Sequence, residues 1–127
     1  MFGRPGHAYV YVSHGIHHCA NVVARPPSAV LLRALEPMAG EEEMARRRGV
    51  ADLRLLCAGP GRLCQALGIT RAEDGHDLTR RGGLWMATGD PAAEVVVTPR
   101  IGLTVAVDVP WRFVEAGTRF ASRPASA

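Results

Sequence analysis

The sequence contains no lysine, so its positive charge comes from arginine alone. There are 15 arginines against 12 aspartates and glutamates, which gives a formal net charge of +3. Arginine binds phosphate through two parallel hydrogen bonds and stacks on rings, so this bias suits a nucleic-acid partner. A net charge of +3 is modest, however, and a GC-rich genome would also favour arginine codons. The charge by itself therefore does not define a class of partner.

The chain also lacks long apolar runs and an even number of cysteines. No apolar stretch approaches the ~20 residues needed to span a bilayer, and no charged segment followed by an apolar one opens the chain. The three cysteines, Cys19, Cys57 and Cys64, are irregularly spaced. Such a set is a poor disulfide framework and favours buried free thiols. We therefore expect a soluble, intracellular protein.

The order of the predicted elements indicates a single α+β domain. At 127 residues the chain can bury a core without metal or disulfide support. Alternation predicts strands at residues 9–13 and 19–23, joined by a turn near His14 and Gly15. The further predicted strands are 29–35, which we expect to be buried, 94–97, 100–107 and 111–114.

Two short helices complete the predicted fold. One lies in GEEEMARRRG, and the other in CAGPGRLCQALGI, where Leu63, Ala66 and Leu67 form an apolar face before Gly68. We expect the first to be a solvated helix, because acidic residues open it and arginines close it, which complements the helix dipole. Together these elements predict a mainly antiparallel sheet with short helices in residues 1–121, followed by a polar tail at 122–127.

The stretch GPGRLCQALG has two interpretations. Gly59 and Gly61 precede a helix whose N-terminus favours anions, but the lysine and hydroxyl of a phosphate loop are absent. A tight turn is therefore favoured over a nucleotide site. Arg62 at this helix remains a candidate contact for a DNA phosphate.

Several histidines and acidic residues are candidate metal ligands. Neighbours on a strand point to opposite faces, so His17 and His18 do not readily chelate one ion together. No zinc motif such as a paired Cys-x-x-Cys is present. We assign no metal site and no catalytic cysteine. The ligand candidates considered are His17, His18, Cys19, Asp74, His76 and Asp77.

The predicted hairpin AYVYVSHGIHHCANVV, residues 8–23, concentrates ring side chains. A hairpin built only for stability typically alternates valine and threonine around an Asn-Gly turn. Here Tyr9 and Tyr11 share one face, Asn21 stands on the return strand and His14 stands at the turn. Rings on a strand face are ordinarily core residues, whereas a ring at a solvated tip is harder to explain by packing. Arg33, in an apolar strand, requires an anionic partner in the protein or in a ligand.

These segments, taken in order, resemble successive blocks of the alkyladenine (3-methyladenine) DNA glycosylase family. The similarity runs from residue 2 to about residue 123, in the family's order and with similar spacing. Each block is weak alone, but the full series is specific. The blocks are MFGRPGHAYVYVSHGIHHCANVV, VLLRALEPMAG, EMARRRG, GPGRLCQALGI, DGHDLT, PRIGL and WRFVEAGTRFASR.

The resemblance implies a role in base excision repair. Members of this family are similar in having one mixed α/β domain whose β-hairpin enters the DNA minor groove. They flip a damaged purine out of the duplex and hydrolyse its N-glycosidic bond, without a metal or organic cofactor. The implied partner is double-stranded DNA with a damaged purine. The implied protein acts as a monomer, away from membranes, at the nucleoid in the bacterial cytoplasm.

The resemblance also implies roles for four residues. Tyr11 corresponds to a ring that stacks on the flipped base, and His14 to the residue that wedges into the duplex at the hairpin tip. Asn21 corresponds to a pocket amide that discriminates against unmodified guanine by clashing with its exocyclic amine. Arg33 corresponds to an arginine near the attacking water and the flipped nucleotide's phosphate.

Two departures from the family's pattern affect what we expect of this chain. His14 replaces the tyrosine usual at the tip, which gives a shorter wedge. The family's general base is a glutamate upstream of the hairpin, and no remaining carboxylate matches it, so no catalytic base is identified. We expect a fragment or a misplaced start codon, with impaired hydrolysis. The alternatives are a non-catalytic DNA-binding remnant and a small structural or interaction domain.

Overall fold

A computed structural model describes residues 3–25, 27–99 and 111–121 of the chain. This part of the chain is a small α+β domain with antiparallel sheets and two short helices, which confirms the predicted fold class. The elements are β1 Ala8–Ser13, β2 His17–Val23, β3 Ala29–Leu31, α1 Glu41–Arg48, α2 Pro60–Leu67, β4 Val95–Thr98 and β5 Arg112–Glu115, with 3-10 turns at Leu53–Leu55 and Arg71–Glu73. The predicted strand at 100–107 and the predicted tail at 122–127 lie outside the described residues. Within the described residues, neither helix is both long enough and apolar enough to traverse a bilayer.

The first two strands form the predicted hairpin. β1 and β2 pair antiparallel in a register that runs from Ala8 opposite Val22 to Ser13 opposite His17, so β2 begins two residues earlier than predicted. The turn between them has positive φ at both His14 (53°) and Gly15 (74°). Positive φ at two successive residues matches the right-handed twist of a hairpin. The N–H of Ile16 donates to the carbonyl of Ser13 at 3.2 Å and closes the turn.

The prediction of a buried strand at 29–35 is wrong in both length and burial. β3 pairs with β2 over three residues only, and its central residue Val30 is 57% exposed. The N–H of Leu32 still donates to the carbonyl of Ala20, 3.0 Å away, and the chain then leaves β2.

The continuation of that segment pairs with a different partner. The carbonyl of Arg33 accepts from the N–H of Gly59 at 2.9 Å, and Ala34 and Ala58 form an isolated bridge. Helix α2 packs against β2, where the thiol of Cys64 contacts the backbone of Ala20. An apolar run is compatible with either arrangement, so the break follows from tertiary packing and not from local sequence.

The core lies between the hairpin sheet and α2. Leu63 and Ala66 of α2 are fully buried, and Gly68 ends the helix in the left-handed conformation, as predicted for this apolar face. All three cysteines are buried free thiols, which confirms that prediction. The buried cluster comprises Ala8, Val10, Ala20, Leu56, Cys57, Leu63, Cys64, Ala66, Ile69 and Leu78.

Helix α1 attaches to this core through its last turn. None of its residues is buried, in agreement with the predicted solvated helix. Arg47 donates from Nη1 to the carbonyl of Ala66 at 2.9 Å, close to the C-terminus of α2. Arg48 donates to the carbonyls of Leu56 at 3.0 Å and Leu55 at 3.1 Å. The two arginines therefore donate to main-chain oxygens that have no donor within their own helix end or turn.

The outer edge of β1 is closed by the segment that follows the second 3-10 turn. Ala8 exchanges two main-chain hydrogen bonds with it, donating to His76 and accepting from Gly75, both at 2.8 Å. The N–H of Val10 donates to the carboxylate Oδ1 of Asp74, also at 2.8 Å. The N-terminal half of β1 is thus held from both sides, whereas the turn at His14 lies at the other end of the strand.

Candidate nucleic-acid interface

The hairpin has one face in the core and one face that carries the predicted site residues. Residues opposite one another in an antiparallel pair share a face, so the pairs Tyr9–Asn21 and Tyr11–Cys19 lie on the same side of the sheet. The core cluster takes Ala8, Val10 and Ala20 from the other side. The tyrosines are therefore not core residues of this cluster.

The two tyrosines form a ring pair on this face. Their ring centroids are 5.5 Å apart, with a tilt of 36° between the planes. Tyr11 is 37% exposed. Partial burial, and secondarily the neighbouring Cys19 thiol, raise the pKa of the Tyr11 phenol above its ordinary range. The phenol is consequently neutral at physiological pH, and its ring offers an uncharged π surface to a planar ligand.

Asn21 lies beside this ring pair with its amide held in one orientation. The residue is only 7% exposed, and its Nδ2 donates to the main-chain oxygen of Tyr9 at 3.1 Å. Among the described residues, its side-chain oxygen Oδ1 has no hydrogen-bond partner. A fixed amide with a free acceptor can distinguish donors from acceptors on the edge of a base.

The turn presents His14 to solvent. His14 is exposed and lies three residues beyond Tyr11, which is about 10 Å along an extended strand. Ile16, which the sequence analysis did not single out, is 73% exposed at the same tip. An apolar residue directly after the turn glycine was the feature that could have indicated it. The tip therefore combines an imidazole with an apolar side chain.

Arg33 belongs to a different pairing from the one expected. Its carbonyl accepts from Gly59, the residue that caps the N-terminus of α2, and the residue is partly buried. The hairpin register brings Tyr9, Tyr11 and Asn21 together, whereas Arg33 is positioned by the segment before α2. Its role toward water or phosphate stays a prediction.

The chain bends at Gly59, directly before α2. The tight turn favoured from sequence over a nucleotide site stays a prediction. Gly59 has a φ of 128°, and an ideal Cβ on Gly61 would lie 3.0 Å from Nδ1 of His17. A glycine at position 61 is therefore what lets the His17 ring approach the first turn of α2. In the described ranges, His, Cys, Asp and Glu side chains form no group of three suited to a metal ion.

Comparison with known proteins identifies the family. The family model of methylpurine-DNA glycosylase matches residues 1–119. A protein of Nitrosospira multiformis, provisionally named a 3-methyladenine DNA glycosylase, is 51% identical over 127 residues, covering 98% of this chain and 65% of that protein. Proteins with the same provisional name from Granulibacter bethesdensis and Rhodopseudomonas palustris are 53% and 52% identical, covering 96% and 98% of this chain and 60% and 61% of theirs.

The chain belongs to the methylpurine-DNA glycosylase family. The resemblance found in the sequence blocks is thereby confirmed. The chain spans 60% to 65% of the length of these three curated relatives.

Proposed function

We propose that this chain recognises flipped alkylated or deaminated purines in duplex DNA for removal by N-glycosidic hydrolysis in base excision repair. The observation that carries the proposal, beside family membership, is that the partly exposed Tyr11 ring and the fixed amide of Asn21 lie on one face of the hairpin, opposite the core cluster. Such a face provides one stacking surface and one polar selector, which a site for a planar base requires.

Tyr11 and Asn21 divide the recognition between them. Stacking of a base on an aromatic ring contributes about 1–3 kcal/mol, which offsets much of the few kcal/mol that base flipping costs. A cationic alkylpurine gains further from the π surface of a neutral phenol. Asn21 rejects unmodified guanine by steric overlap with the exocyclic amine, because the bond to the Tyr9 carbonyl keeps the side chain from moving aside. His14, with Ile16 beside it, fills the gap that the flipped nucleotide leaves in the stack.

Hydrolysis itself requires a general base that this face does not contain. Water attacks C1′ of the sugar while the bond to the base breaks, and a carboxylate accepts a proton from that water. β1, β2 and β3 contain no Asp or Glu. Arg33 stays protonated, so it can hold water or phosphate but cannot accept the proton. We therefore expect this chain to bind lesions well and to release bases slowly or not at all.

The second candidate function is lesion binding without cleavage. It is favoured because the three strands supply a stacking ring and an amide but no carboxylate to accept a proton from water. A single-turnover assay separates the two functions. A duplex with one hypoxanthine or ethenoadenine is incubated with excess protein, and abasic sites are counted after alkaline cleavage. Abasic sites well above the protein-free level support the glycosylase, and lesion-selective binding without them supports the binder.

The recognition face is tested with two substitutions at one position. Tyr11→Ala removes the ring, and Tyr11→Phe keeps the ring and removes the hydroxyl. We expect Tyr11→Ala to weaken lesion binding by about 1–3 kcal/mol, while Tyr11→Phe stays close to the native affinity. Fluorescence anisotropy with lesion and matched undamaged duplexes measures both. Equal affinity of all three proteins for the lesion would remove Tyr11 from the site.

A further inference from the structure

The face of the hairpin that carries Tyr11 and Asn21, here called the recognition face, ends at the tip with an imidazole. Ser13 and His17 form the last pair of the β1–β2 register, and strand residues two apart share a face. His17 therefore lies on the same side of the sheet as Tyr11, one pair nearer the turn. The residue is exposed, and within the described ranges its ring forms no hydrogen bond or ion pair.

The His17 ring is seated against the first turn of α2. Its Nδ1, Cβ and Cγ atoms lie 3.0, 3.1 and 3.2 Å from the place where a Cβ on Gly61 would stand. The edge of the ring that carries Nδ1 thus faces the helix, and Nε2, across the ring from Cγ, faces away from it. A ring supported on one side loses less conformational freedom when its other side binds a ligand.

The elements around this ring contain no carboxylate. Residues 3–35 and 53–72, which include the hairpin, β3 and all of α2, have no Asp or Glu. A proton on His17 would therefore find no counter-ion in these elements, so an anion has to come from a ligand. The other charged or titratable side chains of β1, β2, their turn, α2 and the segment paired with Gly59 are Tyr9, Tyr11, His14, His18, Cys19, Arg33, Arg62 and Cys64.

The backbone of a flipped nucleotide has to pass this end of the recognition face. Under the proposed function the base stacks on Tyr11 while the duplex lies at the hairpin tip, and the nucleotide stays covalently joined to its strand. Its sugar and the two phosphates that flank it therefore lie between Tyr11 and the tip. The Ser13–His17 pair lies in that interval, about 7 Å along the strand from the pair that contains Tyr11.

We propose that His17 is a further substrate-binding residue, which takes up a proton as the duplex binds and donates from Nε2 to a phosphate beside the flipped nucleotide. This inference rests on the proposed function, because it needs the base on Tyr11. The proton comes from solvent, and the bond formed is a charge-assisted hydrogen bond to a phosphate oxygen. The complex then holds one proton more than the free protein, so the affinity for DNA rises as the pH falls.

The experiment measures how the affinity for a lesion duplex depends on pH. Anisotropy with an ethenoadenine duplex is recorded at constant ionic strength from about pH 8.5 to about pH 5.5, the range in which histidine changes its charge. His17→Gln keeps a polar side chain that cannot become a cation, and His17→Arg is charged throughout. His18→Gln is the matched control, because His18 is the next residue of β2 and lies on the opposite face. His14→Gln reports on the imidazole of the turn.

We expect the native affinity to rise by up to about tenfold per pH unit as His17 takes up its proton. His17→Gln should bind like the native protein at the alkaline end and about tenfold more weakly at the acidic end. His17→Arg should keep the higher affinity at both ends. His18→Gln and His14→Gln should each keep the native pH dependence.

A change in the DNA tests the same contact without altering the protein. Methylphosphonates in place of the two phosphates that flank the ethenoadenine remove their charge and keep the base. On this duplex the native protein should show the weakened pH dependence of His17→Gln, and His17→Gln should lose nothing further. Methylphosphonates about one helical turn away, at ~10 base pairs, should leave the native dependence unchanged.

Three results would overturn the inference while leaving the proposed function standing. The first is a pH dependence that His17→Gln shares with the native protein. The second is a loss of that dependence in His14→Gln or His18→Gln instead. The third is no effect of the flanking methylphosphonates, which would mean that His17 contacts another part of the nucleotide. A native protein that does not prefer the lesion duplex to an undamaged one at any pH would overturn both proposals together.

Discussion

The side-chain Nδ2 of Asn21 donates a hydrogen bond to the main-chain oxygen of Tyr9, its partner across the β1–β2 pair, at 3.1 Å. This bond fixes the amide on the face that carries both tyrosine rings. The bond also stabilises the hairpin itself, because the Asn21 amide and the Tyr9 carbonyl are removed from most contact with water.

Substitution of Asn21 should therefore affect stability as well as selectivity. Asn21→Ala leaves the Tyr9 oxygen without its donor, and we expect a loss of about 1 kcal/mol in the free energy of unfolding. Asn21→Asp should lose more near neutral pH, because a carboxylate oxygen would face the carbonyl. That extra loss should shrink as the pH falls toward about 4, the ordinary pKa of Asp, because the introduced carboxyl is disfavoured as an anion in the fold and takes up its proton above that value. Urea unfolding at both pH values measures this, and equal losses for the two variants would contradict the assignment of the bond.

Gly6 is a position where both backbone angle and space require glycine. Its φ is +80°, and a Cβ built there would lie 2.6 Å from Cγ2 of Thr79. The Thr79 hydroxyl donates to Oδ1 of Asp77 at 2.6 Å, so its methyl group cannot turn away freely. We expect Gly6→Ala to destabilise the fold by about 1–2 kcal/mol from φ alone, plus a steric contribution.

A double-mutant cycle separates the two costs at Gly6. Thr79→Ser removes the methyl group and keeps the hydroxyl that bonds to Asp77. In that background Gly6→Ala should cost about 1 kcal/mol less than in the native chain, as measured by thermal or urea unfolding. An unchanged cost in the Thr79→Ser background would attribute the whole effect to the backbone.

Arg48 and Arg46 lie on the same helix and should differ sharply when truncated. Arg48 donates to the carbonyls of Leu56 and Leu55, whereas Arg46 is 71% exposed and pairs with Glu43. Arg48→Ala should lower the free energy of unfolding by about 1–2 kcal/mol, because two charge-assisted bonds to main-chain oxygens are lost. Arg46→Ala should produce a much smaller change, since exposed ion pairs contribute little. Similar losses in the two variants would mean that α1 is not attached through Arg48.

Cys64 should be unreactive in the native protein. Burial, with a smaller effect of the nearby Cys19, raises the pKa of the Cys64 thiol to about 11. At pH 8 only about one thiol in a thousand would then be a thiolate, the form that reacts with disulfide reagents. We expect slow labelling of the folded protein and rapid labelling of all three cysteines in urea. Rapid labelling of Cys64 in the folded protein would contradict this.

The raised pKa of Cys64 also predicts how the stability of the protein changes at alkaline pH. A raised pKa in the folded state contributes stability that is complete below the ordinary pKa of 9.0 and is lost as the pH rises through about 11. Cys64→Ala should therefore flatten the fall in the unfolding midpoint over that range. A native pH profile that is already flat from 9 to 11 would contradict the burial argument.

The hairpin and the two helices could be predicted from sequence because their periodicity is local. Tyr9, Val10 and Tyr11 alternate as a strand does, and the apolar spacing of Leu63 and Ala66 is helical. The apolar run 29–35 has no comparable periodicity. Leucines and valines suit a strand whichever neighbour they pair with, and the change of partner at Arg33 depends on where α2 packs.

The residues that share the site could be predicted from sequence, but the packing around them could not. The face shared by Tyr11 and Asn21 follows from the hairpin register, but which face is covered does not, since valine and alanine also fill the opposite side. Ile16 was missed because periodicity does not mark an exposed apolar residue that follows a turn.

The closed edge of β1 also bears on self-association. An open strand edge invites pairing with another copy of the same chain, and a charged side chain placed on that edge opposes it. The Asp74 carboxylate occupies the N–H of Val10, so an approaching strand would meet a charge and lose a hydrogen bond at once. This closure stops short of the turn at His14. Edge-to-edge pairing of two copies is therefore opposed along the N-terminal half of β1. The turn at His14 has no such closure, and it stays available to a partner that contacts its side chains.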